Sequence, residues 1–297
     1  MTSRAARSSL AFTALALAGL IWGASFVLGK IALRELSVPH LMLYRFGFAS
    51  AGFAPLLLRS RPRLPPRDWA IIAVVGLVGV PVQFLAQFEG LARTTASHAA
   101  LMIGAAPVLA AAAAYVALRE RLSRLVWVAL AVSTIGVVCV ILGVDDGGVG
   151  SAAGPTLAGD LLVFASMFAA VVWILASKRL MTRYSAVVVS GLITVAGTIL
   201  LALWVLVRDG LPPVSLGQST WLAILALGLV ATTCATVFWN WGLSHTDVGK
   251  AGAFINLEPV VGAVLGVVVL HETLGPMAVI GGVLIIAGAM VVSWLGV

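Results

Sequence analysis

Apolar residues fill this chain in long runs of about 20 residues, separated by short polar breaks. A helix of about 20 apolar residues is long enough to cross the ~30 Å hydrocarbon core of a bilayer. The pattern therefore predicts ten transmembrane helices. They cover residues 8–29, 38–58, 69–91, 96–118, 124–143, 157–176, 186–207, 219–243, 250–270 and 276–296. The longest break, 145–159, is acidic and rich in glycine, and we expect a loop there.

The first apolar run has a second interpretation. It follows Arg4 and Arg7, and Ala14-Leu15-Ala16 resembles a signal-peptide cleavage site. However, the run continues through Leu28, beyond the apolar segment of an ordinary signal peptide. We therefore expect an uncleaved first span.

Composition agrees with a membrane protein. The 297 residues are 61% hydrophobic and 10% charged, and the mean hydropathy is +1.12. A soluble domain of this size needs more polar side chains to cover its surface. Cys139 and Cys234 fall inside predicted spans, where they serve as small apolar residues and do not indicate a redox compartment.

The basic residues predict the orientation. With the N-terminus in the cytoplasm, thirteen Lys and Arg residues fall in inner segments and four, at 30, 34, 93 and 208, fall in outer segments. This bias follows the positive-inside rule and places both termini in the cytoplasm. It also accounts for the net charge of +7 through contacts with anionic lipid headgroups, so a nucleic-acid partner is not expected.

The chain contains an internal duplication. Residues 69–142 align with 221–294 at a constant offset of 152, without a gap and with 19 identities in 74 positions. Because Trp, Pro and Glu are scarce in this chain, their matches are the most informative. The matched pairs of these types are Trp69 with Trp221, Pro107 with Pro259, and Glu120 with Glu272.

Each half contains five predicted spans, so the second half crosses the membrane in the opposite sense. The prediction is a 5+5 inverted repeat, with residues 1–148 and 149–297 forming one transport domain. Such repeats are typical of transporters that work by alternating access around a site between the halves. Because the duplicated chain encloses its own site, we expect it to work as a monomer.

Arg45 and Glu258 lie well inside predicted spans, where a charge needs a partner or a cavity. Arg45 is seven residues, or about 10 Å, into the second span. It pairs with a carboxylate of the protein or the substrate, or else it extends to the headgroups. Glu258 lies in the ninth span beside Asn256. It is a candidate ligand for a substrate amino group, a candidate proton carrier, or a structural partner of Lys250 or Arg45.

Pro107 and Pro259 are hinge candidates at equivalent positions of the two halves. Each removes a backbone donor and leaves a carbonyl, that of Ile103 or Ile255, without its helical partner. Paired bends therefore flank one predicted cavity. The alternative is that both prolines only shape helix packing.

Several other polar and aromatic residues are candidates for the cavity. Gln83 and Gln87 share one helix face and are expected to face the cavity or another helix. Glu89 and His98 are further candidates for proton coupling, although His98 is also placed as an interfacial residue. The remaining cavity candidates are Trp22, Trp173, Trp239 and Asn240. For Trp22 and Trp173 the alternative is aromatic packing in the core.

The absence of motifs narrows the function. The sequence has no GxxxxGK[ST], HExxH or GxSxG motif, so ATP-driven pumping and the corresponding hydrolase chemistries are not expected. No metal or cofactor site is predicted. The leading class is a secondary transporter rather than an enzyme. The alternatives are a membrane-embedded enzyme acting on a lipid or prenyl substrate, and a channel.

The order of motifs resembles the EamA-type drug/metabolite transporters. The resemblance rests on Trp22-Gly23-Ala24-Ser25-Phe26, Arg45, Gly159-Asp160, and the Pro and Glu pairs above. It implies export of amino acids or related small metabolites across the bacterial inner membrane, most closely in the manner of the amino-acid and aromatic amino-acid exporters. It also adds Ser25 to the cavity candidates.

Overall fold

The computed structural model describes residues 4–118, 123–143, 154–246, 251 and 254–295. Within these ranges every regular element is helical. Among the described residues, nine continuous helical segments are long and apolar enough to cross a membrane, and Leu257–Leu270 is a shorter apolar helix. Three of the nine segments contain more than one of the helices named below. The prediction of an all-α multi-pass membrane protein is confirmed. The predicted ninth span, 250–270, begins partly outside the described residues.

Thirteen helices are named in chain order from the described residues. They are α1 (Arg4–Ala32), α2 (Val38–Ser60), α3 (Pro66–Leu77), α4 (Gln83–Arg93), α5 (Ala96–Ile103), α6 (Ala106–Leu118), α7 (Arg124–Leu142), α8 (Leu157–Met181), α9 (Ala186–Arg208), α10 (Gln218–Leu225), α11 (Ala235–Leu243), α12 (Leu257–Leu270) and α13 (Pro276–Leu295). The predicted loop 145–159 ends earlier than expected, because 157–159 form the first turn of α8. Residues 144–153 of that region lie outside the described ranges.

Two π-helical segments interrupt long helices at related places, and the apolar pattern did not predict them. Val78–Val82 joins α3 to α4, and Ala226–Cys234 joins α10 to α11. In the first segment Pro81 has no N–H to donate, which disturbs the i to i−4 pattern. In the second, the hydroxyl of Thr232 donates to the carbonyl of Leu227, five residues back, at 2.8 Å. Such insertions are frequent at functional sites.

Helices α7 and α13 pack side by side through small residues. A Cβ added to Gly136 would lie 2.7 Å from the carbonyl oxygen of Gly281, and one added to Gly288 would lie 2.7 Å from that of Ala129. The two contacts are equivalent under the 152-residue offset, because Gly288 aligns with Gly136 and Gly281 aligns with Ala129. Each backbone therefore approaches the other through the same pair of positions.

A second contact joins residues 152 apart directly. The hydroxyl of Thr198 on α9 lies 3.3 Å from the carbonyl oxygen of Phe46 on α2. The hydroxyl of Ser50 donates to Thr198 at 2.9 Å, so a polar contact holds these two helices together inside an apolar core. This contact lies where α2 and α9 pack against each other.

One end of the molecule is held by Glu35, which precedes α2. Its carboxylate accepts the hydroxyl proton of Thr220 at 2.6 Å and the backbone N–H of Gly217 at 2.7 Å, next to the start of α10. The hydrogen bond from Thr220 and then that from Gly217 lower the pKa of Glu35 below its ordinary value of 4.5.

The opposite end, beyond α2, is held by Asp68 in the first turn of α3. Its buried carboxylate accepts the hydroxyl of Tyr184 at 2.8 Å and a guanidinium nitrogen of Arg183 at 2.9 Å. The hydrogen bond to Asp68 raises the pKa of Tyr184 above its ordinary value of 10.0. The segment between α8 and α9 is thus anchored to α3.

Candidate functional site

A small cavity lies at two interruptions of the helical structure, one between α5 and α6 and one just before α12. Its eight lining residues come from the α5–α6 junction and from the start of α12. They form four pairs at the 152-residue offset: Ile103 with Ile255, Gly104 with Asn256, Ala106 with Glu258, and Pro107 with Pro259. Equivalent positions of the two halves therefore face one space.

The breaks follow from the sequence. Helix α5 ends at Ile103, and α6 begins at Ala106 after a two-residue turn. Helix α12 begins at Leu257, directly after Asn256. Pro107 and Pro259 occupy the first turns of α6 and α12, where the missing N–H is tolerated. The two hinge candidates are thus brought together at the cavity.

The cavity is chemically asymmetric. One wall carries Asn256 and the carboxylate of Glu258, whereas the matched positions of the other wall are Gly104 and Ala106. The amide nitrogen of Asn256 lies 3.4 Å from the hydroxyl of Ser293 on α13. The cavity volume is about 30 Å³. Since one water molecule needs ~10–15 Å³ by this measure, the space holds about two waters and is too small for an amino acid.

Arg45 is buried in α2, with 4% of its surface exposed. Its Nε donates to the hydroxyl of Thr232 at 3.0 Å. The guanidinium carbon lies 4.7 Å from the ring centroid of Phe84, 5.2 Å from that of Phe88 and 5.5 Å from that of Phe46. Its NH1 is buried and has no hydrogen-bond partner among the described atoms. The sequence alternative in which Arg45 extends to the headgroups is therefore wrong.

Glu258 is the carboxylate with which Arg45 interacts electrostatically. The two residues form no direct ion pair within the described part of the chain. Glu258 is half-buried and lines the cavity. The other partner weighed for it, Lys250, lies outside the described residues.

Trp22 and Trp239 meet next to the same π-helical segment that holds Arg45. The indole N–H of Trp22 donates to the carbonyl of Ala231 at 3.0 Å. The ring centroids of Trp22 and Trp239 lie 5.4 Å apart. Since Ala231 immediately precedes Thr232, this segment positions both Trp22 and Arg45.

Of the cavity candidates, only Asn256 and Glu258 line the described cavity, and Arg45, Trp22 and Trp239 do not. Gln83 and Gln87 are buried, and each has a side-chain oxygen without a partner among the described atoms. They lie on the face of α4 that also carries Gly90, which packs against α8, so they face another helix rather than this cavity.

Three further candidates lie on other helices. Trp173 packs against Gly79 of the first π-helical segment. The amide of Asn240 donates to the hydroxyl of Ser190 at 3.3 Å, and Ser25 is buried in α1. None of the three is among the residues that line the described cavity.

The two other candidates for proton coupling occupy different surroundings. The Nδ1 of His98 lies 3.0 Å from a carboxylate oxygen of Asp160, and both side chains are buried. Thr94 donates to the other oxygen of Asp160. His98 is therefore a buried partner of Asp160. Glu89 is partly exposed and pairs with Arg93 one helical turn away at 3.1 Å.

One side of the cavity is closed by close packing of α5 against α12. A Cβ added to Gly262 would lie 2.4 Å from that of Ala100, and one added to Gly266 would lie 2.3 Å from the hydroxyl oxygen of Ser97. Beyond these contacts, Glu272 accepts the backbone N–H groups of Ala96 at 2.7 Å and Ser97 at 2.8 Å. Glu272 thus caps α5 from another part of the chain.

Sequence reasoning missed several residues of this region. Thr232 and the rings of Phe84 and Phe88 are inconspicuous in an apolar chain. The capping role of Glu272 was also missed, although its match with Glu120 in the repeat had marked it. The repeat was therefore a better guide to position than to chemistry.

The model of the EamA-like transporter family matches residues 9–142 and again 157–294. An uncharacterized transporter of Archaeoglobus fulgidus is 29% identical over 280 residues, covering 92% of this chain and 94% of the relative. A protein of Streptantibioticus cattleyicolor, named a probable terminal-alkyne amino-acid exporter, is 31% identical over 294 residues, covering 96% and 94%. A protein of Salmonella typhimurium, named a probable amino-acid metabolite efflux pump, is 27% identical, covering 91% and 90%.

A solved crystal structure shares the fold. It superposes with a TM-score of 0.66 at 25% sequence identity and covers 99% of this chain and 98% of its own. The two family matches together span most of the chain, and the resemblance read from its motifs is confirmed. This multi-pass membrane protein belongs to the EamA-like transporter family.

Proposed function

We propose that this protein is a secondary transporter that exports amino acids or related small metabolites across the bacterial inner membrane. Membership of a transporter family supports the class of activity. The names of two relatives, an amino-acid exporter and an amino-acid metabolite efflux pump, support the substrate and the direction. Asn256 and Glu258, the two polar side chains among the cavity-lining residues, support a substrate with a polar group.

The observation that carries the proposal is the cavity lined by four pairs of residues 152 apart. A site at the interface of two repeats is where an alternating-access transporter binds its substrate. Two further contacts join positions that are related by the same 152-residue offset. They are the packing of α7 against α13 and the contact of Phe46 with Thr198. They support a two-fold relation between residues 1–148 and 149–297, which we propose is inverted in the membrane.

In the proposed cycle the cavity opens to one side at a time. The contacts of Ser97, Ala100 and Glu272 close it between α5 and α12, which is the outer side under the predicted topology. An amino acid enters only when the walls separate, because the present volume holds about two waters. Pro107 and Pro259, at the broken ends of α6 and α12, are the proposed hinges.

We assign the substrate-binding role to the residues around this cavity. Glu258 and Asn256 supply polar contacts, Arg45 supplies the positive charge, and Trp22 with Trp239 supplies an aromatic wall. Gln83, Gln87, Trp173, Asn240 and Ser25 stay in the proposal as residues that shape the neighbouring helix contacts. Among the candidates for proton coupling we favour Glu258, since Asp160 binds His98 and Arg93 binds Glu89.

The test is transport by the purified protein in liposomes. Vesicles loaded with one unlabelled amino acid are diluted into the same labelled amino acid, and counterflow is measured with and without a pH gradient. Protein-free vesicles are the control. Saturable, substrate-specific counterflow is the expected result for a transporter.

Other outcomes identify the alternatives. Conductance without counterflow indicates a channel, and turnover of a lipid or prenyl substrate indicates an enzyme. If no amino acid or small metabolite shows counterflow, the proposed function is wrong. If flux depends on a pH gradient and Glu258→Gln removes only this dependence, Glu258 is the proton carrier. Unchanged coupling in the variant excludes that role.

A further inference from the structure

We propose that Arg45 is the built-in counter-cation of Glu258, and that substrate binding exchanges this internal charge pair for two pairs with the substrate. The inference rests on the proposed function and deepens it. It assigns the site to small zwitterions, which carry one cation and one anion close together.

The surroundings of Arg45 leave one edge of its guanidinium group available for a further hydrogen bond. A guanidinium keeps its charge at any physiological pH. The rings of Phe84 and Phe88 stabilise it through cation–π contacts, and Thr232 fixes its Nε, but none of these supplies a negative charge. The buried NH1 has no hydrogen-bond partner among the described atoms. This edge is suited to a carboxylate, which accepts two parallel hydrogen bonds from a guanidinium.

Glu258 presents the opposite charge to the cavity. Its charge and that of Arg45 attract each other, although the two side chains form no direct ion pair among the described residues. On the other wall, the matched position is the uncharged Ala106. The two charges therefore cancel, although the two side chains are not directly hydrogen-bonded to each other.

A zwitterion satisfies both groups without leaving a buried charge alone. Its ammonium group binds Glu258, and its carboxylate binds the free edge of Arg45. An amine without a carboxylate leaves Arg45 unmatched, and a carboxylate without an amine leaves Glu258 unmatched. Because an isolated charge inside the membrane is strongly disfavoured, both single-charge analogues are poor ligands.

The pair of Arg45 and Glu258 also determines how the empty carrier returns to its starting orientation. After the substrate leaves, Arg45 and Glu258 neutralise each other again, so the empty protein can change its orientation and net efflux continues. Without the charge of Arg45, the carboxylate of the empty site must take up a proton before the carrier can change its orientation, and this step limits the return of the empty carrier. Exchange continues in that case because the incoming substrate brings a cation, whereas net efflux stalls.

The experiment compares counterflow with net efflux for one transported amino acid in liposomes. For Arg45→Gln we expect net efflux to fall at least tenfold more than counterflow measured at saturating substrate. Arg45→Lys keeps the charge and should keep the wild-type ratio. Arg45→Gln combined with Glu258→Gln removes both charges and should restore the ratio at a higher KM. Arg208→Gln, an exposed arginine, is the control for loss of a positive charge elsewhere.

A competition assay tests the substrate class. The decarboxylated amine and the deaminated acid of the same amino acid should each compete at least tenfold more weakly than the amino acid itself. Equal loss of net efflux and counterflow in Arg45→Gln, or an amine that competes as well as the amino acid, would overturn the inference while leaving the transport function standing. Absence of all amino-acid flux in the wild type defeats the proposed function and this inference with it.

Discussion

The hydroxyl of Thr232 accepts the Nε–H of Arg45 at 3.0 Å. The same hydroxyl donates its proton to the carbonyl of Leu227, so its direction is fixed by the π-helical turn. The arginine side chain has four rotatable single bonds and would otherwise sample several positions, and this hydrogen bond selects one. The local deviation from α-helical geometry thus places the positive charge of the proposed site.

Replacing Thr232 tests this link. Thr232→Val keeps the shape but removes both hydrogen bonds, so the guanidinium loses its orientation. We expect the KM for a transported amino acid to rise about tenfold, since a hydrogen bond to a charged group contributes ~1.5–3 kcal/mol. Thr232→Ser retains the hydroxyl and should transport nearly as the wild type does. Equal transport by the Val variant would show that the rings of Phe84 and Phe88 suffice to hold Arg45.

The packing of α7 on α13 gives a prediction for stability. In Gly136→Ala or Gly288→Ala the new methyl group meets a backbone carbonyl at 2.7 Å, and the helices must separate. Overpacking of this kind costs about 1–3 kcal/mol. The matched control is Gly47→Ala, because a Cβ at Gly47 has no neighbour within 4 Å. Thermal unfolding in detergent should show lower midpoints for the first two variants and no loss for the control.

The sequence predicted the helices well because the length of an apolar run is set directly by bilayer thickness. The end of α2 was predicted at residue 58 and lies at Ser60, and α9 matches 186–207 within one residue. The pairing of Pro107 with Pro259 at one cavity also followed from the repeat. In both cases a pattern that is visible along the sequence, an apolar run or a repeat, determines the structural feature.

The chemistry around Arg45 was not predictable in the same way. Its neighbours Thr232 and Phe84 come from two other helices, and no spacing rule links them to position 45. In the second π-helical segment, the hydroxyls of Thr232 and Thr233 donate to carbonyls five residues back, and no spacing rule predicts this choice. For the same reason the sequence left open whether Gln83 and Gln87 face the cavity or another helix, and they do not line the described cavity.

The contact of Glu35 with Thr220 and Gly217 predicts a pH dependence of stability. Because these hydrogen bonds lower the pKa of Glu35 in the folded protein, the unfolded chain takes up a proton first as the pH falls. The stabilising contribution is therefore complete above the ordinary value of 4.5 and is lost as the pH falls through the lower folded value. Thermal midpoints at pH 7 and pH 4 should differ less for Glu35→Gln than for the wild type. An identical difference in both proteins would assign the acid sensitivity to other carboxylates.

Glu272 offers the sharpest test of closure on one side of the cavity. Its carboxylate accepts two backbone N–H groups at the start of α5, and the hydroxyl of Ser97 donates to it at 2.7 Å. Glu272→Ala leaves these donors without an acceptor, at a cost of about 1–3 kcal/mol for each one that stays buried. We expect a lower unfolding temperature and easier separation of α5 from α12. Glu272→Gln, which keeps one acceptor, should lie between this variant and the wild type.

Separation of the helices can be measured independently of stability. In a background with Cys139 and Cys234 replaced, Ser97→Cys places a thiol at a fully buried position of α5. Labelling by a membrane-impermeant maleimide should be about tenfold faster when Glu272→Ala is added, since the rate follows the population of the opened state. Glu89→Gln, which removes an exposed ion pair on α4, is the control and should leave the labelling rate unchanged. Equal labelling with and without Glu272 would show that the glycine contacts at 262 and 266 close this side by themselves.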